Sequence, residues 1–243
     1  MARCLLALLQ GWLPMILELN QVAFKYPNQI NKVLDIPTFK VRRGEKVFLY
    51  GPSGYGKTTL LEIIAGVMVP QSGEVKILNQ DLVKLTSSDR DQFRANHLGY
   101  IFQSFNLIPY LSVIENICLP LSLSPQKRAK VSRVQEVEKA LELCKSLNIE
   151  EIVMRKASEL SVGQQQRVAA ARAILGTPEL ILADEPTSSL DFDHREKFIH
   201  LLFRLCEQHK ISVLFVSHDR SLQNLFDRSL SLLDINKVNR VEY

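Results

Sequence analysis

Hydrophobic positions change their spacing several times along this chain. Residues 16–26 and 32–41 carry alternating or short apolar runs, which predict antiparallel strands. Val47-Phe48-Leu49-Tyr50 is an unbroken apolar run of the kind a buried strand shows, and residues 59–65 read as the helix after it. Residues 73–78 and 98–102 are further short strand candidates. Between residues 112 and 147 the pattern turns helical. Ser124-Pro125 looks like an N-cap with proline at the first helical position, and Val131, Val134, Val137, Leu141 and Cys144 mark one apolar face. Strands and helices then alternate: a helix to Leu175, a strand over 180–183, a helix over 192–207, a strand over 213–216, and a short helix. That alternation predicts an α/β fold with a mostly parallel sheet and helices on both faces.

Composition narrows the field. At 243 residues the chain can form one large domain or a core with a smaller subdomain. With 46% hydrophobic and 23% charged residues it reads as an ordinary globular protein. A net charge of +4, dispersed along the chain, makes no case for nucleic acid, and no basic run with interleaved aromatics occurs. Cys4, Cys118, Cys144 and Cys206 stand far apart with no C-x-x-C pair, as expected of reduced thiols in a cytosolic protein. The apolar stretch 4–17 is interrupted by Gln10, Gly11 and Pro14, and falls short of the roughly 20 apolar residues a membrane span needs. It also has no A-x-A-like cleavage site. Residues 1–14 are therefore expected to be an extension of unknown role, with Met15 an alternative start.

Three motifs carry chemistry. Gly51-Pro52-Ser53-Gly54-Tyr55-Gly56-Lys57-Thr58 fits G-x-x-x-x-G-K-[ST], a loop whose backbone amides cradle phosphates while the lysine adds charge and the hydroxyl reaches Mg²⁺. It stands between the apolar run and the predicted helix, so a nucleotide's phosphates would lie at a helix N-terminus. Leu180-Ile181-Leu182-Ala183-Asp184-Glu185 is a buried-strand pattern ending in two acids. At a strand's carboxyl end, Asp184 is placed to hold Mg²⁺, and Glu185 is free to orient and polarise a water. In Leu160-Ser161-Val162-Gly163-Gln164-Gln165-Gln166-Arg167, Ser161 is a good N-cap and Gly163 leaves the first turn bare. That makes a second anion site, which one nucleotide pocket does not require; an ordinary capped helix fits the spacing equally well.

From about residue 16 onward the sequence resembles the ATP-binding-cassette family, with the elements in the family's order. Residues 51–58 resemble its Walker A loop, 160–164 its signature sequence, and 180–185 its Walker B strand with the catalytic glutamate. The resemblance implies further roles. Tyr26 matches the aromatic that stacks on adenine, and Gln103 the glutamine that contacts Mg²⁺ and links a helical subdomain to the core. Ser188-Ser189-Leu190-Asp191 matches a dimer-contact loop, and His218 the histidine that reaches the γ-phosphate. Thr59, next to the loop hydroxyl of Thr58, belongs with the nucleotide-binding set. The implied fold is a P-loop NTPase core with an N-terminal antiparallel β subdomain and an α-helical subdomain inserted at about residues 104–175, all within a single domain over 15–243. Val162 stands where the family commonly has glycine, Tyr55 where a small residue is usual, and Thr58 replaces serine. None of these removes a catalytic group.

The resemblance implies an ATPase that binds ATP and Mg²⁺ and closes head to tail with a second copy of itself. ATP would then lie between one copy's phosphate loop and Ser161, Gly163 and Gln164 of the other. Any transport falls to a separate integral-membrane permease, which places the chain in the cytoplasm, peripheral on the inner face of the membrane. Residues 105–111, apolar for a loop, are either a permease-docking surface or subdomain core. The run 100–121 together with the signature looks most like the branch of lipoprotein-release and macrolide- or peptide-export ATPases. A cell-division regulator of the same branch is the competing expectation. A soluble DNA-repair or translation ATPase fits worse, because the chain has no coiled-coil insertion, second cassette or zinc-ligand pairs.

Overall fold

The computed structural model describes residues 14–27, 29–124, 132–188 and 192–238. Strand β1 (Met15–Phe24) pairs antiparallel with β2 (Leu34–Arg42) and with β4 (Ser72–Ile77), and β4 pairs with the two-residue β5 (Gln80–Asp81). This sheet has the order β2-β1-β4-β5. The second sheet is parallel throughout: β6 (Leu98–Ile101), β7 (Leu180–Asp184), β8 (Ser212–Ser217), β3 (Lys46–Tyr50) and β9 (Arg228–Ser231), in that spatial order. The predicted pairing of an antiparallel N-terminal unit with a parallel α/β core is thus what the chain forms.

Alternation along the parallel strands divides the core in two. Ile181 and Ala183 of β7, with Val213 and Phe215 of β8, join the cluster packed by the larger helices. Leu180, Leu182, Leu214 and Val216 point to the other face, against α1 (Lys57–Ile64) and the antiparallel sheet. A strand with both faces covered has no polar positions, which is why β7 and β8 read as continuous apolar runs.

The helices on the first face are α3 (Val113–Leu123), α4 (Arg133–Ser146), α5 (Val162–Ile174) and α6 (Phe192–Gln208). Ser112, Ser132 and Ser161 each close a capping box at the start of α3, α4 and α5. One expectation for this region needs correction. Ser124 is the C-cap of α3, and the helix expected to start at Ser124-Pro125, with Val131, falls outside the described residues. The apolar face of α4 is rotated. Ala140, Leu143, Cys144 and Leu147 are buried, whereas Val134 is 68% exposed, and Val137 and Leu141 also face solvent. The helix carries two apolar stripes sharing Cys144, and packing against α3 and α5 selects the one with the small Ala140 at the contact.

Two elements were not anticipated. Helix α2 (Ser87–His97) is polar along most of its length, buries no residue fully, and is held at its start by Thr86, whose hydroxyl accepts from Asp89 N–H. The edge strand β9 has only Leu230 as a large apolar residue. The chain then turns into the short α7 (Leu232–Ile235).

Candidate functional site

Strands β7, β8 and β3 are neighbours, and residues just past the carboxyl ends of β7 and β3 line an open cleft of about 740 Å³. Beyond β3, residues 51–56 lead into α1. Gly56 is its N-cap at φ +92°, where a Cβ would lie 3.0 Å from Val33 Cγ1 and 3.1 Å from Leu34 Cδ2. Both conformation and space therefore demand glycine there. No side chain caps α1, so its first N–H groups remain available to an anion.

The lysine of this loop is held on three sides. The Lys57 ammonium donates to the carbonyls of Gly51 (2.9 Å) and Pro52 (3.0 Å) and pairs with Glu185 Oε1 at 3.2 Å. The other Glu185 oxygen, Oε2, lies 2.7 Å from Nδ1 of His218. A chain of contacts from Lys57 through Glu185 to His218 thus joins the ends of three adjacent strands. Lys57 and Glu185 are buried, and His218 is open to solvent.

Glu185 occupies a costly backbone position. Its φ of +44° lies in the left-handed region, where a residue with a Cβ is strained. Two hydrogen bonds fix that turn: Glu185 N–H donates to the Val216 carbonyl of β8 (2.9 Å), and the buried Gln166 of α5 donates through Nε2 to the Pro186 carbonyl (2.8 Å). Gln166 was not singled out from sequence. Its signal was an amide on an otherwise apolar buried stripe with Val168 to Ala171, one turn after Ser161.

Asp184, the preceding residue, is buried too. Thr58 hydrogen-bonds to its carboxylate, while Oδ1 meets no hydrogen-bond partner among the described residues. Burial raises its pKa above the usual carboxylate range; the Thr58 hydrogen bond opposes this, the neighbouring charge of Glu185 adds to it, and that of Lys57 opposes it. A buried carboxylate oxygen without a partner is costly unless something fills its coordination, and a hard cation with oxygen ligands suits it.

The remaining expected residues separate into two groups. Tyr26, Ser53, Gly54, Thr59 and Gln103 line the same cleft. Tyr26 is half-buried, its hydroxyl 2.9 Å from Thr59 Oγ1 and its ring edge-on to Phe24, so the ring is fixed at the cleft wall. Tyr55 packs against the cluster shared by α1 and the antiparallel sheet. Ser161, Gly163 and Gln164 are not brought to this cleft. They stand at the start of α5, where Ser161 N–H donates to Gln164 Oε1 (2.9 Å), and a Cβ built on Gly163 would meet nothing within 4 Å. The Gln164 side chain is thereby turned back into the capping box. Ser188 is exposed; Ser189, Leu190 and Asp191 lie outside the described residues.

Beyond Gln103 the chain bends through Phe105 (φ +59°) and Asn106 (φ +47°). The buried Arg172 of α5 holds this bend, donating to the carbonyls of Phe105 and Asn106, the latter at 2.7 Å. Phe105 is core, whereas Tyr110 is 72% exposed, so the apolar stretch 105–111 divides between packing and surface. Arg172 is a second residue that sequence did not single out. It couples the segment after Gln103 to the helix that begins at Ser161.

Residues 34–188 match the family model described as ABC transporter. The chain is 38% identical over 79% of its length to the lipoprotein-releasing system ATP-binding protein LolD of Psychrobacter arcticus, covering 83% of that protein. It is 37% identical over 90% of its length to the LolD protein of Porphyromonas gingivalis, covering 97% of it. Among solved structures, a dimeric bacterial ABC transporter cassette superposes with a TM-score of 0.81 at 37% identity, over 92% of this chain and 97% of that one. The same cassette has also been solved as a dimer in a post-hydrolysis state bound to ADP and phosphate, again with a TM-score of 0.81.

Proposed function

This chain belongs to the ABC transporter family and is an ATPase of that family, and from that premise we propose that it is the energy-supplying subunit of an export or lipoprotein-release system, working as a head-to-tail homodimer on a separate membrane permease. The observation that carries the reading is the Lys57–Glu185–His218 chain beneath an uncapped helix N-terminus. It supplies phosphate-binding charge, a carboxylate to direct water, and a histidine at one strand edge.

In the proposed reaction, ATP lays its base against Tyr26 and its phosphates across residues 51–58. Lys57 leaves Glu185 for the β- and γ-phosphates. Glu185 then orients a water and takes its proton as the water oxygen bonds to the γ-phosphorus. The bond from that phosphorus to the β–γ bridging oxygen breaks, giving ADP and phosphate. A positioned base contributes about 10²- to 10⁴-fold to such a step. His218 holds Glu185 in place and reaches toward the γ-phosphate. Thr58, Asp184 and Gln103 would hold Mg²⁺, for which the partnerless Asp184 oxygen is suited; bound there, the cation neutralises phosphate charge.

The separation of Ser161 and Gly163 from the cleft supports the dimer. A helix start facing outward, with no side chain at Gly163 in its first turn, has a use when a second copy presents its nucleotide to it. The 97% coverage of a cassette solved as a dimer is in keeping with this. Relatives named for lipoprotein release support that branch. No helix among the described residues is long and apolar enough to cross a membrane. The proposed location, which goes with the permease partner, is the cytoplasmic face of the membrane, and the reading assigns no role to nucleic acid. The domain reading stays as proposed from sequence: one cassette over 15–243 with a helical subdomain at about 104–175, preceded by the extension.

The test is capture of tagged Glu185→Gln protein from native membranes with Mg-ATP, followed by identification of the co-purifying membrane protein. A permease with a large external domain supports the reading. A division-complex protein in its place, or recovery of the chain alone in the soluble fraction, overturns it.

A further inference from the structure

The edge of the parallel sheet opposite the nucleotide cleft carries a second cavity, of about 680 Å³. It opens where β6 and β7 begin, next to His97 and Glu179. The last turns of five helices converge on it: α2 through His97, α3 through Leu121, α4 through Ser146, α5 through Ile174 and α6 through Gln208. Its floor is apolar and buried, built from Leu143, Ile174, Leu175 and Leu205. The volume is that of a small-molecule site rather than a packing defect.

Helix ends and carboxylates lend this cavity a negative character among its described residues. Each helix presents the negative end of its macrodipole, equivalent to roughly half an elementary charge at each terminus. Glu142 and Glu179 add two carboxylates to the wall. The cationic candidates on the wall are His97, His209 and Lys139: His97 Nδ1 lies 3.1 Å from Glu179 Oε2, and His209 and Lys139 are exposed, Lys139 standing on α4 one turn before Glu142. Among the described residues no helix begins at this cavity, so an anion would find there none of the N–H groups that serve phosphate at α1.

We propose that this cavity binds a cationic amphiphile, a protonated amine on a compact hydrocarbon body. The ammonium sits among the helix ends near Glu142, and the hydrocarbon lies on the leucine and isoleucine floor. The cavity is separate from the ATP site and does not depend on the transport reading. Because α4 supplies one wall and α5 and α6 the other, an occupant braces the inserted helices against the core.

The unmodified protein, without nucleotide, is titrated calorimetrically with n-octylammonium, octan-1-ol and octyl sulfate, each below its aggregation concentration. The proposal expects one octylammonium per chain, bound about tenfold tighter than octanol, with octyl sulfate weakest. Leu143→Trp, which fills the floor, abolishes octylammonium binding while ATP binding, measured in the same sample, persists as proof of folding. Equal binding of octanol and octylammonium, tighter binding of octyl sulfate, no binding of octylammonium at all, or octylammonium binding unchanged in Leu143→Trp overturns it.

Discussion

Replacing Glu185 with glutamine should tighten ATP binding as well as stop hydrolysis, because ATP must first take Lys57 from Glu185. The two groups stand 3.2 Å apart with side-chain exposures of 6% and 11%, so solvent screens them weakly. At that distance and an effective dielectric constant of about 20, their attraction is about 5 kcal/mol before desolvation. Much of this is offset in the variant, since Lys57 keeps the carbonyls of Gly51 and Pro52 and can also donate to the new amide oxygen. A net release of about 1–2 kcal/mol remains, or about 5- to 30-fold in affinity. Removing the carboxylate's repulsion of the incoming phosphates acts in the same direction. The assay is calorimetric titration with ATP in a Ser161→Arg background, which keeps dimer formation out of the measured affinity. Glu185→Asp retains the charge and serves as the control that should not gain. Wild-type affinity in the Glu185→Gln chain would refute the competition between the carboxylate and the nucleotide for Lys57.

Other substitutions separate the parts of the account. Tyr26→Ala removes the stacking face and the Thr59 contact, and should weaken ATP binding by about 1–3 kcal/mol in the same titration, with little change in melting temperature. Ser161→Arg should leave single-site ATP binding intact and abolish the ATP-driven doubling of mass in sedimentation, since it blocks the outward helix start. Gly73→Ala places a Cβ 2.4 Å from the Gln21 carbonyl oxygen at a φ of +97°, and should destabilise the antiparallel sheet by about 2–4 kcal/mol in chemical denaturation.

The parts of the fold legible in sequence were those where one physical demand dominates. β7 and β8 are covered on both faces, so their apolar runs left little choice of element. The phosphate loop announced itself because a backbone approaching an anion needs glycine at fixed positions. Helix α2 escaped notice because it is stabilised by its cap and lies on the surface, leaving no apolar stripe to detect. β9 is short and at an edge, and is ordered by pairing with β3 rather than by its own composition. The face of α4 was misjudged because two apolar stripes overlap at Cys144, and the choice between them belongs to α3 and α5. At the site, Glu185, His218 and Lys57 were named from sequence, but their mutual contacts were not. Gln166 and Arg172 were missed because each works through backbone carbonyls distant in sequence, at Pro186 and at Phe105 and Asn106. Such partnerships leave no local pattern.

The central claim is that Glu185 directs the water in a site completed by a second copy of the chain. Its most direct test is steady-state ATP hydrolysis by wild-type and Glu185→Gln protein, with molecular mass followed by sedimentation in Mg-ATP. The account predicts turnover lowered by about 10²-fold or more in the variant, together with a stable ATP-bound dimer. Wild-type turnover in Glu185→Gln, or a variant that stays monomeric with ATP bound, would contradict it.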